Sequence, residues 1–533
     1  MHRIQRMTGI GAVVQLVRMP ACHAGGRGFE SLPHRSKPLT LVRGFLLFNA
    51  YKRPPTMQET LAGILNSINE PMAVVMVVTL CFSGIYFTLK TKGVQFRMIS
   101  EMFRLLFKSD GAQAQRSKSS RRISSLEAFM VSLASRVGTG NLAGVATAIV
   151  IGGPGAIFWM WVMALVGSVN TFIECTLAQL FKKRGGDSFI GGPAYYISKG
   201  LHKRWFACIF AVAIIAQFGL TNNMVQANTI TSAVSEAFSV SPVLIASVLT
   251  AFSLAVIFGG ISRIAKACSV IVPFMALAYL GIALWVVISN LSAIPGILAL
   301  IVKSAFGFEQ AAGGAVGTAI LMGFKRGIFS NEAGEGSAPN AAATADVSHP
   351  VKQGLIQTLG VYTDTLLICT CTAILILCSG LYDCGANGIE LTQAAMTFHI
   401  GPSGKYIIAV CILFFAFSSV LGNYYYGECN INFLCNGSPH TRTAINIYRV
   451  ILGVLIFIGS LSTIEIVWAL VDFCMVIMTV CNLIAILLLG KYAVRLLDDY
   501  RRQLKEGRNP HYSSDTIPEI ASETECWPDK KRG

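Results

Sequence analysis

The stretch Val137-Gly138-Thr139-Gly140-Asn141 interrupts an apolar run, residues 127–151, that is long enough to cross a membrane. Two glycines flanking a threonine favour a break in a helix at this point. Inside hydrocarbon, such a break leaves backbone N–H and C=O groups unpaired, which is tolerated only where the groups line a cavity or bind a ligand. The stretch therefore predicts a membrane helix that is broken around a binding site.

The composition supports a location in a membrane. Of 533 residues, 53% are hydrophobic and 13% are charged, and the mean hydropathy is +0.59, which is typical of integral membrane proteins. Eleven segments are apolar over roughly 18 residues or more, the length that a spanning helix needs. They are 72–90, 127–151, 154–181, 206–235, 242–258, 265–290, 311–329, 354–380, 405–427, 443–460 and 465–490. The predicted fold class is an all-α polytopic membrane protein.

The net charge of +16 would suit a nucleic-acid-binding protein, but its distribution favours a membrane protein. Nearly all loop Lys and Arg fall in alternate loops: 91–126, 182–204, 259–264, 330–353, 428–442 and the tail after 490. The opposite loops contain little beyond Lys303. This is the positive-inside pattern. It predicts a cytoplasmic C-terminus, an external N-terminus at residue 72, and a lipid bilayer, not a nucleic acid, as the partner.

The two ends of the chain differ from the apolar middle. Residues 11–36 resemble the conceptual translation of a transfer-RNA gene, so we expect residues 1–56 to be a spurious extension and Met57 to be the true start. Residues 57–126 contain the first span and a basic linker, in which 96–107 is an amphipathic piece predicted to lie on the inner membrane face. Residues 491–533 form a cytoplasmic tail that is expected to be partly disordered, beyond about 507.

The ten spans after the linker divide into two sets of five, 127–290 and 311–490, joined by an external connector at 291–310. Each set begins with a glycine-interrupted segment, and the second of these is Gly323-Phe324-Lys325-Arg326-Gly327. Paired breaks at matching positions of two halves are typical of transporters built from inverted repeats. An odd number of spans in each half gives the halves opposite orientations. The pattern predicts two inverted five-helix repeats after one extra helix, with the site between them.

The chemistry of the first break suits a zwitterion. The half-helix before it, 127–136, ends in free carbonyls with a negative partial charge, and the half-helix after it starts near Asn141 with free N–H groups. An amino acid would place its carboxylate at the N–H end, with a cation at the carbonyl end. Thr139 adds a hydroxyl and Asn141 an amide. The alternative is a packing kink of the kind that glycine allows in any span.

Five motifs resemble the alanine/glycine:cation symporter family (sodium:alanine symporters). They are GGPGAIFWMWVMALVG (152–167), SRVGTGNLAGVATAI (135–149), GGPAYYI (191–197), GIFSNEAGEGSAPNAAATA (327–345) and GNYYYGE (422–428). The resemblance covers residues 90–490. It implies a leucine-transporter-like fold and Na⁺-coupled uptake of small neutral amino acids, with H⁺ as the coupling ion in some relatives. It also implies the inner membrane of a bacterium.

The resemblance also implies roles for individual residues. The coupling ion would be held by the carbonyls of Ala134 and Val137 and by the hydroxyls of Ser418 and Ser419, hard oxygen ligands that suit a hard cation. Gln217 resembles a substrate-contacting amide and Phe324 an aromatic wall in the second break, with packing as the alternative for both. The predicted substrate-binding residues are Val137, Gly138, Thr139, Gly140, Asn141, Gln217, Phe324, Ser419 and Asn423.

Asn423 departs from the family pattern, which often has Trp at this position. A smaller polar residue would enlarge the pocket and offer an amide. We therefore expect a longer side chain, such as that of glutamine or serine, to be accepted beside or instead of alanine.

Three acids, Glu174, Asp364 and Asp472, lie within predicted spans, where an unpaired charge is costly. Each acid must face polar partners or be protonated. Two roles would explain an acid at this depth: pairing within the structure, or a place on the path of an ion. Arg136, just before the first break, is a candidate gate or pairing residue. The loop 330–345 lacks the ending of a phosphate-binding loop and is predicted to be a helix end and inner gate segment.

Three classes of function compete at this point. A symporter that works by alternating access explains the paired breaks. A channel would need a continuous pore. A membrane-embedded enzyme would need a nucleophile–base pair or a metal-ligand spacing, neither of which the spans contain.

Overall fold

The computed structural model describes residues 57–107, 123–185, 188–307, 313–435 and 437–527. Its α-helices, numbered in chain order, are α1 Met57–Lys90, α2 Val94–Arg97, α3 Ile99–Phe107, α4 Ser125–Arg136, α5 Val145–Gly152, α6 Gly155–Leu180, α7 Pro193–Gly200, α8 Arg204–Ile214, α9 Asn222–Phe238, α10 Pro242–Ile257, α11 Gly260–Ser289, α12 Ile294–Ala305, α13 Gly313–Asn331, α14 Ala338–Ala342, α15 Pro350–Val361, α16 Thr370–Ser379, α17 Gly388–Ile400, α18 Gly404–Cys435, α19 Thr441–Leu461 and α20 Ile464–Lys505. Two short antiparallel strands, β1 Lys183–Gly185 and β2 Ser188–Ile190, form a hairpin. The predicted extension 1–56 lies outside the described residues.

The predicted first break is present. Helix α4 begins with a capping box, in which the Ser124 side chain accepts from the Glu127 N–H and the Glu127 side chain accepts from the Ser124 N–H. The helix ends at Arg136, and Val137 and Gly138 are not helical. A wide π-helical turn, Gly140–Gly144, then leads into α5. The apolar run 127–151 is therefore two half-helices, as the glycines indicated.

The predicted second break lies at a different place. Helix α13 runs without interruption through Gly323 and Gly327 and ends at Asn331. A Cβ on Gly323 would lie 2.5 Å from the Ala156 carbonyl oxygen and 2.6 Å from the Trp159 Cβ. Glycines four residues apart thus let α13 approach α6 closely, which is a packing role and not a break.

The interruption after α13 lies between Asn331 and the short helix α14. Glu332 (φ 58°), Gly334 (φ 82°) and Gly336 (φ 83°) all have the left-handed backbone conformation that ends a helix. The prediction that 330–345 contains a helix end is confirmed, and the position of the second break at 323–327 was wrong.

Two further π-helical turns widen long helices. Ile215–Thr221 joins α8 to α9, and Tyr362–Cys369 joins α15 to α16. Such turns free individual backbone groups from the regular hydrogen-bond ladder and are frequent at functional sites.

Eight helical stretches in the described part of the chain are long and apolar enough to cross a membrane, and three shorter apolar helices accompany them. The expected number of eleven spans and the inverted repeats stay predictions. The broken helix lies in the interior: α4 packs against α11 and α18, and the first π turn contacts α13 and α17. Helix α1 packs along α20 and α6 at the periphery.

The amphipathic piece is helical but packs on protein as well as facing outward. In α3, Met102 and Leu105 are buried while Phe103 and Phe107 are exposed. Helix α3 packs against α15, and the Tyr500 hydroxyl donates to Glu101 at 2.5 Å. Residues 108–122 of the basic linker lie outside the described residues.

The tail is more ordered than predicted. The Tyr512 N–H donates to the Ser348 carbonyl at 2.9 Å, and the Trp527 indole N–H donates to the Gln179 carbonyl at 3.1 Å. Tyr512 and Trp527 are both buried. The expectation of disorder beyond about 507 therefore fails for residues up to 527, because buried aromatic side chains anchor this segment.

Candidate functional site

The N–H groups freed by the first break are bound by side-chain oxygens. The Gly138 N–H donates to Asn141 Oδ1 at 2.9 Å, and the Thr139 N–H donates to Gln226 Oε1 at 3.0 Å. The Thr139 hydroxyl donates to the same Gln226 oxygen at 2.8 Å. The two N–H groups are therefore not free, because amide oxygens from Asn141 and Gln226 accept their hydrogen bonds.

Glycine is required at the break because other helices come very close. A Cβ on Gly138 would lie 2.3 Å from Ser419 Oγ and 2.8 Å from Gln226 Oε1. A Cβ on Gly140 would lie 3.0 Å from Ser330 Cα. The two glycines therefore face different neighbours, α18 and α9 on one side and the end of α13 on the other.

The carbonyl end of the break meets one of the two predicted serines. Ser419 Oγ lies 2.9 Å from the Ala134 oxygen and 3.4 Å from the Val137 oxygen. It also lies 3.0 Å from the Phe415 oxygen. One hydroxyl carries one proton, so the Ala134 and Val137 oxygens of the broken helix and the Phe415 oxygen compete for the Ser419 proton. This buried group of oxygens is electronegative and matches the ligands that a hard cation prefers.

Ser418 shares only the Phe415 oxygen with this group and contacts neither the Ala134 nor the Val137 oxygen. Its hydroxyl lies 2.9 Å from the Phe415 oxygen and 3.7 Å from the Met275 sulfur, on the side of α18 that faces α11. The structure thus brings Ser419, Ala134 and Val137 together and places Ser418 elsewhere.

Gln217 lies in the π turn between α8 and α9 and is wholly buried. Its Nε2 has no hydrogen-bond partner among the described residues. A buried amide with unused N–H groups is compatible with a ligand contact, and the predicted role in substrate binding stays a prediction. Phe324 is different, because it lies within the continuous helix α13, with its ring 6.4 Å from that of Trp159. It is therefore not part of the second break.

Asn423 lies one turn beyond Ser419 on α18 and is wholly buried. Its Oδ1 lies 2.7 Å from Ser135 Oγ, which also lies 2.5 Å from Glu332 Oε1. The Ser337 hydroxyl donates to the other oxygen of Glu332 at 2.5 Å. Asn423 therefore belongs to a polar cluster that ties α4 and α18 to the interruption after α13.

Asp364, which the sequence offered only as a buried acid, lies at the first break. Asn141 Nδ2 donates to its Oδ1 at 2.7 Å, and the Ser330 hydroxyl donates to its Oδ2 at 2.7 Å. The Thr365 hydroxyl donates to Oδ2 as well, at 3.0 Å. The π turn of 362–369, the first break and the end of α13 meet at this carboxylate.

The family model of the sodium:alanine symporter family matches residues 58–514. The chain belongs to this family.

Curated relatives match nearly end to end. The chain is 49% identical over 474 residues to the probable sodium/glutamine symporter GlnT of Bacillus subtilis (strain 168), covering 89% of this chain and 97% of that protein. It is 50% identical over 449 residues to the amino-acid carrier protein AlsT of the same organism, covering 84% and 94%. It is 37% identical over 407 residues to the sodium/proton-dependent alanine carrier protein of Bacillus sp. (strain PS3), covering 74% and 91%. The family and these relatives are transporters, not enzymes.

A solved structure shares the fold. The crystal structure of MhsT in complex with L-phenylalanine matches with a TM-score of 0.51 at 12% identity, covering 70% of this chain and 97% of that chain. The symporter described here is therefore a multi-pass membrane protein with a leucine-transporter-like arrangement of helices.

The other acids of this symporter are paired in different ways. Asp472 Oδ2 lies 2.6 Å from Lys325 Nζ and 3.0 Å from Arg326 Nη2. The guanidinium of Arg326 also lies 4.1 Å from the centre of the Trp468 ring. This cluster joins α13 to α20 and explains why two basic residues can follow Phe324 inside a span.

Glu174 is held by neutral donors. Asn482 Nδ2 donates to it at 2.6 Å, and the Gly334 N–H does so at 3.4 Å. Arg136 is buried, and its Nη1 donates to the Gln357 carbonyl at 3.0 Å. The other guanidinium nitrogens of Arg136, Nε and Nη2, have no hydrogen-bond partner in the described part of the chain. Of the three predicted acids, Asp472 is ion-paired, and Glu174 and Asp364 accept hydrogen bonds from neutral groups.

Gln226 is the main residue that the sequence reasoning missed. It lies on α9 in the run Asn222-Asn223-Met224-Val225-Gln226-Ala227-Asn228, which is unusually rich in amides for a membrane span. Polar side chains at this depth require partners or a function. That signal was available, but the prediction chose Gln217, nine residues earlier.

Proposed function

We propose that this protein carries small neutral amino acids into a bacterial cell together with Na⁺, by alternating access. The observation that supports this most strongly is the broken helix α4–α5. Its free N–H groups are held by exchangeable side-chain oxygens, and its free carbonyls converge on Ser419. Relatives described as sodium-coupled carriers of glutamine and alanine support the same reading.

The proposed substrate position follows from the two ends of the break. The amino acid carboxylate would displace Asn141 Oδ1 and Gln226 Oε1 and accept from the N–H groups of Gly138 and Thr139. Hydrogen bonds to an ionised acceptor are roughly twice as strong as those between neutral groups. The exchange is therefore favourable for a carboxylate, although the N–H groups of the empty break already have hydrogen-bond acceptors. The unused Nε2 of Gln217 is a candidate for a further contact with the substrate.

The proposed Na⁺ position is the oxygen group of Ala134, Val137 and Ser419. A cation there lies at the negative end of α4, where free carbonyls favour positive charge. Ion and substrate thus occupy opposite ends of one break, and the positive charge of the ion compensates the carboxylate. Binding of each makes binding of the other more favourable, which is the coupling that symport requires.

The energy available is sufficient for accumulation. One positive charge that moves inward down a potential of ~100 mV contributes ~2.3 kcal/mol. Because 1.4 kcal/mol corresponds to about tenfold, one charge supports roughly fiftyfold accumulation. A sodium concentration gradient adds to this value.

Asn423 is proposed to widen the substrate range. It is wholly buried, and its Nδ2 has no partner among the described residues. A second amide can bind to that donor, which supports transport of glutamine or serine in addition to alanine and glycine. The 49% identity to a probable sodium/glutamine symporter is in line with this proposal.

Uptake into proteoliposomes tests the function. Labelled alanine, glycine, serine and glutamine are each offered with an inward Na⁺ gradient, and choline replaces Na⁺ in the control. A third condition replaces the Na⁺ gradient with a pH gradient, since one relative is described as sodium/proton-dependent. We expect concentrative uptake with Na⁺ and little uptake with choline. Equal uptake in choline and Na⁺ would refute sodium coupling, and currents far above the amino acid flux would indicate a channel.

A further inference from the structure

Two arginines beside the end of α1 have no acidic partner. Arg97, on α2, is exposed, and Arg501, near the end of α20, is partly buried. Neither forms an ion pair within the part of the chain that the structure describes. The other arginines of α2, α3 and α20 are all ion-paired: Arg104 with Glu101, Arg495 with Glu519 and Arg502 with Asp499. The charges of Arg97 and Arg501 are therefore available to a ligand.

The fold brings these two arginines together from distant parts of the sequence. Arg501 Nη2 donates to the Thr91 carbonyl at 2.9 Å, in the turn between α1 and α2. Arg97 lies close enough to Arg501 for the two positive charges to repel each other. Asp498, one turn before Arg501 on α20, attracts Arg501 from beyond ion-pair distance. Two like charges held this close are costly unless an anion binds to both of them.

Two lysines add to the positive charge at this place. Lys90 and Lys92 flank Thr91, and both are exposed. Four basic residues from three helices and one turn thus surround the end of α1. Clusters of roughly four or more Lys and Arg immediately beside the cytoplasmic end of a membrane helix are typical of binding to anionic lipids. The predicted topology places the end of α1 on the cytoplasmic side.

The surface beside the cluster is apolar. Leu89 on α1, Phe96 on α2, and Phe103 and Phe107 on α3 are all exposed. Exposed aromatic and aliphatic side chains next to basic residues are typical of helices that lie in the headgroup region of a bilayer. A ligand at this place would therefore have an anionic group for the arginines and hydrocarbon for the apolar side chains. A phospholipid has both.

We propose that Arg97 and Arg501 bind the phosphate of one anionic phospholipid of the inner leaflet, with Lys92 as a further contact. Guanidinium groups are well suited to phosphate because their N–H groups match the spacing of its oxygens. The acyl chains of the lipid lie along Leu89 and Phe96. An anionic lipid is favoured over a zwitterionic one, because its headgroup leaves a net negative charge to compensate the cluster.

The bound lipid should stabilise the folded protein. Its phosphate replaces the repulsion between Arg97 and Arg501 with attraction to both of them. A ligand that binds only the folded state raises the temperature of unfolding, by an amount that grows with its concentration. The unfolding temperature therefore reports binding, and the measurement needs neither an amino acid nor Na⁺. Its outcome is independent of the proposed function.

Thermal unfolding of the purified protein in mixed micelles tests the proposal. Phosphatidylglycerol is added to the detergent at increasing mole fractions, and phosphatidylcholine with the same acyl chains is the comparison. A third series adds inorganic phosphate without lipid. We expect the unfolding temperature to rise with phosphatidylglycerol and much less in the other two series. An equal rise with phosphatidylcholine would refute recognition of the headgroup, and an equal rise with inorganic phosphate would refute a lipid as the ligand.

Single variants test the two arginines. Arg97→Gln and Arg501→Gln should each raise the phosphatidylglycerol fraction for half of the effect by about fivefold. Arg495→Gln is the matched control, because it removes one charge from the same helix where Glu519 already pairs with it, and it should respond like the wild type. A wild-type response in both Arg97→Gln and Arg501→Gln would overturn the proposal. Equal weakening in all three variants would indicate a general effect of charge and would also overturn it.

The same variants without lipid distinguish a lipid site from a structural role. Arg97 is exposed and is repelled by Arg501. In lipid-free detergent, Arg97→Gln should therefore unfold at the same temperature as the wild type or at a higher one. A lower unfolding temperature in lipid-free detergent, with an unchanged response to phosphatidylglycerol, would mean that Arg97 supports the fold directly and would refute its role in lipid binding.

Discussion

The two neighbouring serines on α18 allow a direct test of the proposed Na⁺ position. Only Ser419 Oγ lies near the oxygens of Ala134 and Val137, at 2.9 and 3.4 Å. Replacing Ser419 by Ala removes one oxygen ligand and leaves the carbonyls in place. A hydrogen bond to a charged group is worth ~1.5–3 kcal/mol, and we take this range for a hydroxyl that contacts a cation. The Na⁺ concentration for half-maximal uptake should therefore rise about tenfold to a hundredfold.

The assay is alanine uptake into proteoliposomes at a fixed, saturating alanine concentration, with Na⁺ varied and choline used to keep ionic strength constant. Ser418→Ala is the matched control, because its hydroxyl contacts the Phe415 oxygen and the Met275 sulfur but neither carbonyl of the break. It should change the half-maximal Na⁺ concentration by less than about twofold. If both variants shift the value equally, as the resemblance-based pairing of the two serines implies, the structural assignment is wrong. If neither does, the ion lies elsewhere.

Three other outcomes follow from the structure. Gly138→Ala should raise the alanine concentration for half-maximal uptake by about a hundredfold or more, because the new Cβ would lie 2.3 Å from a serine hydroxyl; Gly281→Ala, in open space on α11, is the control. Asn423→Trp should weaken competition by glutamine relative to alanine by about tenfold, and unchanged competition would refute its role in substrate range. His349, at the start of α15, is buried, and its ring lies edge-on to that of Tyr512 in the tail, with the ring centres 5.9 Å apart. Burial lowers the pKa of the His349 imidazole, so protonation below the unfolded value of about 6.5 favours undocking of the tail from this ring. Limited proteolysis of the tail should be faster at acidic pH, and His349→Gln should abolish that dependence.

The first break could be predicted because its cause is local. Gly138 and Gly140 flank Thr139 within an apolar run, and the Cβ-free backbone at these positions is what lets α18 and α13 come close. The second glycine cluster looked the same in sequence but serves helix packing. Gly323 contacts the backbone of α6, and only tertiary structure distinguishes that role from a break.

Contacts between distant segments limited the prediction of the site. Asn141 and Asp364 are 223 residues apart, and Thr139 and Gln226 are 87 residues apart. Each of these residues could be recognised as polar within a span, but no pattern in a single sequence indicates which polar residues meet. The same limit applies to Ser418 and Ser419, since helical periodicity alone does not say which of two adjacent hydroxyls faces the break.

The side chains around the first break also explain how an empty carrier can be stable in a membrane. A bare break would leave N–H groups unpaired in hydrocarbon, at several kcal/mol each. Asn141 and Gln226 remove that penalty because their amide oxygens accept hydrogen bonds from these N–H groups. At the proposed substrate position, binding then gains only the difference between a charged and a neutral acceptor, which keeps binding reversible, as transport requires. The same difference selects for a carboxylate, because a neutral ligand would gain nothing over the amides that it displaces.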